Sequence, residues 1–210
     1  ICVYLTGRLN PGVGPHDVAL ALVGATYANG YVKNKVMEFV GPGVASLSAD
    51  CRNGIDCMTT ETTCWSSIWQ TDGVTEEYLA GHGRADAYKE LKPADVAYYD
   101  GCIELDLSKI ECMIALPMHP SYAYPIRELK ANAKDLLHEI ETRANEQLSG
   151  KVKMDLVSKV RADGSIYVDQ GIVAGCSGGT YENLCAVADI LRGKSCGNGE
   201  FKFSAYPDSM

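Results

Sequence analysis

The 210-residue sequence lacks a long apolar segment and an excess of basic residues. Because no stretch approaches about 18 consecutive apolar residues, none is predicted to cross a membrane. The 19 basic and 27 acidic residues give a net charge of −8, whereas binding of nucleic-acid phosphates needs a basic surface. No nucleic-acid partner is therefore expected. Residues 1–5 lack the basic segment and cleavage site of a signal peptide, and we expect them to be a strand of a chain cut from a longer one.

A CxxC pair is also missing, although the sequence contains nine cysteines. The odd number and the wide spacings do not match the disulfide framework of a small secreted domain. We therefore expect reduced thiols in a cytoplasmic setting, most of them buried as small apolar side chains. Cys2, Cys102 and Cys112 lie in apolar, strand-like segments and are expected to be buried.

What the sequence does contain is an alternation of strand-like and helix-like segments, which predicts a layered α/β/α architecture with mostly parallel sheets. Strands are predicted at residues 2–6, 36–40, 102–107, 112–116, 166–173 and 202–205. Residues 151–161 could form a strand or a short helix, and the strand is preferred. Helices are predicted at residues 15–27, 75–83, 126–148 and 180–191, with two short helices between 46 and 69. A proline-containing loop at 117–125 predicts two lobes, residues 1–112 and 113–210.

Cys176 lies in the segment with the clearest functional signal. A buried strand runs into Gly175, and Cys176 is followed by two further glycines before a helix that begins near Thr180. Ligands bind at the carboxyl ends of strands in open α/β sheets, and a helix N-terminus favours the thiolate form of a nearby cysteine. Three interpretations remain open from the residues alone. Cys176 is a nucleophile, a metal or iron–sulfur ligand, or an incidental cysteine in an anion-binding turn.

The turn around Cys176 resembles the Gly-Ser-Cys-Thr-Asn segment of the aconitase family of iron–sulfur hydro-lyases. Further family motifs are matched in the same order along the chain. They are LTG and DVAL at residues 5–7 and 17–20, EFVGPGV and SLS at 38–44 and 46–48, IDCMTTETTCWSS at 55–67, EEYL and GR at 76–79 and 83–84, and ELDLS and ALP at 104–108 and 115–117. The ordered series makes the resemblance much more specific than any one of these motifs would.

The resemblance implies a 4Fe-4S cluster held by three cysteines, with one iron left open to bind the substrate's hydroxyl and carboxylate as a Lewis acid. Cys176 matches the first cluster ligand. The other two ligands, and the domain that carries the substrate-binding arginines, are expected outside this sequence. The chain is then an internal fragment, with an aconitase-like second domain at 1–112 and a partial third domain at 113–210. We expect no intact cluster and no turnover from it alone, and an exposed Cys176 thiol at the edge of a lobe.

The resemblance also suggests which other residues belong to the site. Glu61 keeps a family carboxylate and is a tentative catalytic residue. Cys57 replaces an asparagine, Gly178 replaces a second one, and with Ser177 these residues are expected to line the cluster or substrate. The implied activity is a hydratase or dehydratase acting on a small di- or tricarboxylate. Because both amides are lost, a non-catalytic, aconitase-derived binding or structural protein is the alternative.

Overall fold

The computed structural model describes residues 1–197, 199 and 201–208. The strands are β1 (Cys2–Thr6), β2 (Val36–Val40), β3 (Ser66–Trp69), β4 (Cys102–Asp106), β5 (Met113–Ala115), β6 (Ala123–Pro125), β7 (Gln170–Val173) and β8 (Lys202–Ala205). The helices are α1 (Pro15–Thr26), α2 (Ala49–Cys57), α3 (Gly73–Gly81), α4 (Ile126–Ala131), α5 (Ala133–Gln147), α6 (Gly175–Gly178) and α7 (Tyr181–Leu191). The helices in this part of the chain include none that is both long and apolar enough to span a membrane.

A four-stranded parallel sheet in the order β3-β2-β1-β4 forms the largest layer. Strand side chains alternate between the two faces of a sheet, and in β1 the fully buried Val3 and Leu5 flank Tyr4, which is 41% exposed. The inner face packs against α1 through Val18 and Leu22. The β7–β8 pair is also parallel, whereas β5 and β6 are antiparallel. The predicted α/β class with largely parallel sheets is confirmed.

A second core lies beyond the first sheet and contains Leu116, Leu129, Leu137 and Ile140. Helix α1 joins the two cores, because it packs against α2 on one side and against the β5–β6 hairpin on the other. At its N-terminus, Asp17 accepts a 2.6 Å hydrogen bond from the backbone N–H of Met113 in β5. The division into lobes at residue 112 stays a prediction.

Several local predictions were wrong. The helix predicted at 126–148 is two helices, because Asn132 has a non-helical backbone (φ −129°, ψ 31°). In the region 46–69 the second short helix is a 3-10 turn at Thr59–Thr62, and the strand β3 follows it. Residues 151–161 do not form the preferred strand but contain a 3-10 turn at Val157–Lys159 and a single bridge from Val160 to Ile166. The strand predicted at 166–173 is shorter than expected, because only Gln170–Val173 form β7.

The expected burial of most cysteines was also wrong. All nine lie in the described part of the chain, and of these only Cys2 and Cys51 are buried. Cys102 and Cys112, both expected inside the core, are exposed. Cys102 lies on the outer face of the sheet, in register with Cys2 of β1, so its strand-like surroundings do not bury it.

Candidate functional site

The turn that carries Cys176 needs glycine at two positions. Gly175 begins the turn with φ +80°, a left-handed backbone conformation that side chains disfavour. At Gly179 a Cβ atom would lie 2.6 Å from the carbonyl oxygen of Tyr206, so a larger residue would force the chain apart. The Gly179 N–H donates to the carbonyl oxygen of Gly175 at 2.7 Å, and the Gly179 carbonyl accepts from the N–H of Asp208 at 2.9 Å. The turn is therefore tightly closed directly after β7.

Ser177 fixes the underside of this turn. Its side chain is buried, and its hydroxyl donates a 2.8 Å hydrogen bond to the carbonyl oxygen of Gly54 in α2. The His16 Nε2 atom of α1 lies 3.2 Å from the same hydroxyl oxygen. Because the serine proton is used for Gly54, His16 supplies the proton for the second bond. Burial lowers the pKa of His16, which favours its neutral form.

The hydroxyl of Ser177 thus faces α1 and α2, and the residue does not contribute to the lining of the neighbouring cleft. Gly178 lies on the same side, since a Cβ atom placed there would be 3.7 Å from His16 Cε1. The structure therefore places both residues beneath the turn, where they position Cys176. Their predicted contact with a cluster or a substrate stays a prediction.

Cys57 and Cys176 are brought together from positions 119 residues apart. The Cys57 thiol at the end of α2 lies 3.4 Å from the carbonyl oxygen of Cys176. Burial and the adjacent Cys176 thiol, with which it forms a side-chain hydrogen bond, raise the pKa of Cys57 to about 11. Cys176 is exposed, as expected. These two predicted residues form one cluster of thiols.

The N-termini of α2 and α7 are held side by side next to this thiol pair. The backbone N–H of Glu182 donates to the Asp50 carboxylate at 3.0 Å, and the Ser48 hydroxyl donates to the Glu182 carboxylate at 2.6 Å. Ser48 also caps its own helix by accepting a hydrogen bond from the N–H of Cys51. The N-terminus of each helix is thus bonded to a residue of the other helix. These bonds fix the positions of the Cys57 and Cys176 thiols relative to each other.

The thiol pair opens into a cleft of about 950 Å³ between α2, α3 and the start of α7. Its described lining includes five acidic residues and no lysine or arginine. The five are Asp50, Asp56, Glu77, Glu182 and Asp208. Tyr78 and His82 of the α3 region close the far side, with their rings 4.3 Å apart. An acidic cleft of this kind offers carboxylate oxygens to a cation or a metal group, but it does not by itself bind a polyanion.

Asp56 is a site residue that the sequence interpretation missed. Its Oδ1 atom accepts hydrogen bonds from the Ser67 hydroxyl at 2.6 Å and from the Trp69 Nε1–H at 2.8 Å, so β3 holds the end of α2 in place. Asp50 and Asn53 were missed as well. The signal was available in part, because a period of 3.6 residues places Asp50, Asn53 and Cys57 on one face of a helix.

Glu61 lies outside the cleft. It is exposed on the 3-10 turn Thr59–Thr62, and its backbone N–H donates to the carbonyl oxygen of Met58. Within the residues that the structure describes, no group of three or more His, Cys, Asp or Glu side chains is arranged to hold a metal ion. The thiol of Cys176, with Cys57 beside it, therefore fits part of a cluster's ligand set but not the whole of it.

Comparison with known proteins gives a match over the whole sequence. The model of the aconitase family (aconitate hydratase) matches residues 1–210. The 2,3-dimethylmalate dehydratase large subunit of Eubacterium barkeri is 30% identical over 195 residues, which are 93% of this chain and 38% of that protein. The 3-isopropylmalate dehydratase large subunit of Clostridium kluyveri is 28% identical over 190 residues, 90% of this chain and 37% of that protein. The chain thus spans little more than a third of the length of these relatives.

Proposed function

The chain belongs to the aconitase family, and we propose that it forms the Cys176-bearing part of a hydro-lyase that adds or removes water on a small di- or tricarboxylic acid. The observation that carries the proposal is the exposed Cys176 thiol, presented by a glycine turn at the mouth of a large cleft. Relatives named as dehydratases of 2,3-dimethylmalate and 3-isopropylmalate support this class of substrate.

The proposal includes further polypeptide. Relatives named as large subunits are matched over only 38% or less of their length, so we propose that the remaining cluster ligands come from further segments of the same parent protein. Because these relatives are named as large subunits, we also propose a smaller partner chain. The described cleft lining contains five acidic residues and no lysine or arginine, and these would repel a polycarboxylate. The cationic side chains that bind the substrate must therefore be supplied from outside it.

Cys176 would hold one iron of a 4Fe-4S cluster, which when bound supplies a Lewis acid for the departing hydroxyl group. The chain's own residues position that thiol. Ser177 and His16 anchor the turn from below, and the Asp50–Glu182 bond fixes the following helix. Glu61 remains a proposed catalytic residue on the family resemblance alone, since its exposed carboxylate lies outside the cleft lined by Cys57 and Cys176. Ser177, Gly178 and Cys57 shape the surroundings of Cys176 in this proposal.

The test uses the natural full-length protein, together with a small partner chain if one is encoded. After anaerobic cluster assembly it is incubated with 2,3-dimethylmalate, 3-isopropylmalate and citrate, and formation of the unsaturated acid is followed by its ultraviolet absorbance. Cys176→Ser should abolish turnover and lower the iron content. Cys185→Ser, which removes an exposed thiol of α7, should change neither. Full cluster occupancy without dehydration of any of the three acids would contradict the proposed activity.

A non-catalytic role is the second candidate, and the Cys57 thiol is the observation that favours it. The family segment has an amide at this position, whereas here a second sulfur contacts Cys176. In this alternative the protein uses the aconitase-like fold for binding or for structure. The turnover assay described above distinguishes the two candidates when a Cys57→Asn variant is included. If the site is catalytic, this variant should dehydrate one of the three acids. If the role is binding or structure, neither the variant nor the unsubstituted protein should do so.

A further inference from the structure

We propose that Cys57 and Cys176 are a modification site at which a low-molecular-weight disulfide forms a reversible intramolecular Cys57–Cys176 bond. The disulfide itself rests on the geometry of the two thiols. Its consequence rests on the proposed function, because oxidation removes the Cys176 thiol from the ligands available to a cluster.

The first argument is the approach of the two side chains. The Cys57 sulfur lies 3.4 Å from the carbonyl oxygen of Cys176, and the Cys176 thiol is close enough to raise the pKa of Cys57. A disulfide needs an S–S distance of about 2.05 Å, so rotations about the two Cα–Cβ bonds must bring the sulfurs closer. Cys176 has room for such a rotation, because its side chain is exposed and Gly175 precedes it.

The second argument is that the backbones on both sides are fixed. Ser177 bonds to Gly54 of α2 directly after Cys176, and Glu182 bonds to Asp50 of the same helix. The thiols are therefore held in contact by the folded chain. A chance encounter of two mobile cysteines would not have these anchors.

The third argument is access. Both thiols line the 950 Å³ cleft, whose size and acidic lining admit a small, positively charged disulfide. Cys2 and Cys102 form another pair of neighbouring cysteines, because they are in register on the adjacent strands β1 and β4. Cys2 is only 7% exposed, so the second step of an exchange reaction is hindered there. Access therefore favours the pair in the cleft.

The reaction balances as two thiol–disulfide exchanges. The exposed Cys176 thiolate attacks one sulfur of the reagent, RSSR, which forms a mixed disulfide and releases RS⁻. The Cys57 thiolate then attacks the Cys176 sulfur and releases the second RS⁻, and the protons of both thiols end on the two RSH products. The protein loses two electrons to the reagent, and two equivalents of a reducing thiol reverse the process.

The experiment treats the 210-residue chain, without iron and under anaerobic conditions, with cystamine, a small disulfide whose two amino groups are positively charged and suit the acidic cleft. The products are trapped by acid, alkylated and mapped by peptide mass spectrometry. We expect a Cys57–Cys176 cross-linked peptide as the main product, a loss of two alkylatable thiols per chain, and full recovery with dithiothreitol. Cys57→Ser should instead leave Cys176 as a stable mixed disulfide with cysteamine, the thiol half of the reagent. Cys185→Ser is the matched control and should still form the cross-link.

A stable mixed disulfide of Cys176 with cysteamine in the unsubstituted chain, with Cys57 still free, would overturn the proposal. A Cys2–Cys102 cross-link that forms while Cys57 stays reduced would overturn it as well. Neither readout needs a cluster or turnover. The disulfide proposal can therefore be refuted while the hydro-lyase proposal stands, and the hydro-lyase proposal can be refuted while the disulfide proposal stands. In the full-length protein, prior oxidation should prevent cluster assembly until reduction, and normal assembly on the oxidised protein would refute the proposed consequence.

Discussion

The Asp50 carboxylate accepts a 3.0 Å hydrogen bond from the backbone N–H of Glu182, although 132 residues separate the two in sequence. A carboxylate at a helix N-terminus satisfies a free N–H group and interacts favourably with the helix dipole. Asp50 thus caps α7 from the first turn of α2. The contact joins the two elements that carry Cys57 and Cys176.

Asp50→Ala should therefore lower the free energy of unfolding by about 1 kcal/mol, the usual effect of losing a helix cap. It should also speed alkylation of Cys57, because α7 and the turn before it are released from α2. Urea unfolding and a timed alkylation experiment measure the two effects. Asp86→Ala, at an exposed position of a 3-10 turn, is the control and should change neither. Equal effects of the two substitutions would show that the Asp50 bond contributes nothing.

Substitution of Arg52 should lower the free energy of unfolding more than substitution of Asp50 does. Its guanidinium is nearly buried and makes paired hydrogen bonds to Asp72 at 2.9 and 2.7 Å, with further bonds to the carbonyl oxygens of Leu47 and Val44. Removing one partner of a buried ion pair leaves the other without compensation. Arg52→Leu should cost about 3 kcal/mol in urea unfolding.

The exposed pair of Arg127 and Glu111 provides the control for this prediction. Arg127→Leu should cost much less than Arg52→Leu, because solvent screens the exposed pair. If Arg52→Leu does not fold, Arg52→Lys keeps the charge but loses the paired geometry, and it should still be less stable than Arg127→Lys. Equal stabilities of the two lysine variants would contradict the role given to Arg52.

His16 predicts a pH dependence of stability. Burial lowers its pKa below the ordinary value of 6.5, so the unfolded chain takes up a proton at a higher pH than the folded chain does. Stability is therefore complete above pH 6.5 and falls as the pH drops from there towards the folded-state pKa. The slope for one proton is at most about 1.4 kcal/mol per pH unit.

His16→Gln keeps a donor for Ser177 but has no proton to gain, so this part of the acid sensitivity should disappear. His138→Gln, at an exposed position of α5, is the control and should retain the slope of the unsubstituted chain. Urea unfolding at a series of pH values measures all three proteins. An unchanged slope in His16→Gln would mean that another group causes the acid sensitivity.

Iron binding gives the fourth prediction. The described residues provide no three-ligand metal group, so anaerobic treatment of the 210-residue chain with iron and sulfide should yield less than one cluster per chain. Cys176→Ser should reduce the bound iron further, whereas Cys185→Ser should not. Iron analysis and visible absorbance check both statements. A stable 4Fe-4S spectrum at one cluster per chain would contradict them.

The turn of Cys176 could be predicted from the sequence because its signals are local: a strand, a glycine with the needed backbone freedom, and a helix that begins after a threonine. The strand β3 could not. Its Ser66 and Ser67 have weak strand preference, and the strand exists because β2 offers a parallel partner in register. The break at Asn132 was hidden for a related reason, since the apolar stripe continues across it and only the backbone conformation of Asn132 separates α4 from α5.

The residues of the candidate site divide in the same way. Cys176 and Cys57 were found through their chain neighbours, and the structure places them in contact. Asp56 was not, because its importance depends on Trp69, which is 13 residues away and on a strand that the sequence did not indicate. Ser177 was predicted to line the site, but its hydroxyl donates a hydrogen bond to the carbonyl oxygen of Gly54. This is a long-range contact that no local sequence pattern indicates.

The bond from the Trp69 indole to Asp56 also gives the protein an intrinsic optical reporter. The Trp69 ring stacks on the Phe39 ring with 4.1 Å between the ring centroids. Its Nε1–H donates to the carboxylate of Asp56, the residue directly before Cys57. The second tryptophan of the chain, Trp65, is 76% exposed, so the two indoles emit from different surroundings and are quenched by solutes to different extents. A change at Cys57 reaches one fluorophore through a single hydrogen-bonded carboxylate. We therefore expect that oxidation of the thiols or binding of iron changes the emission of Trp69, which would allow both to be followed without a label.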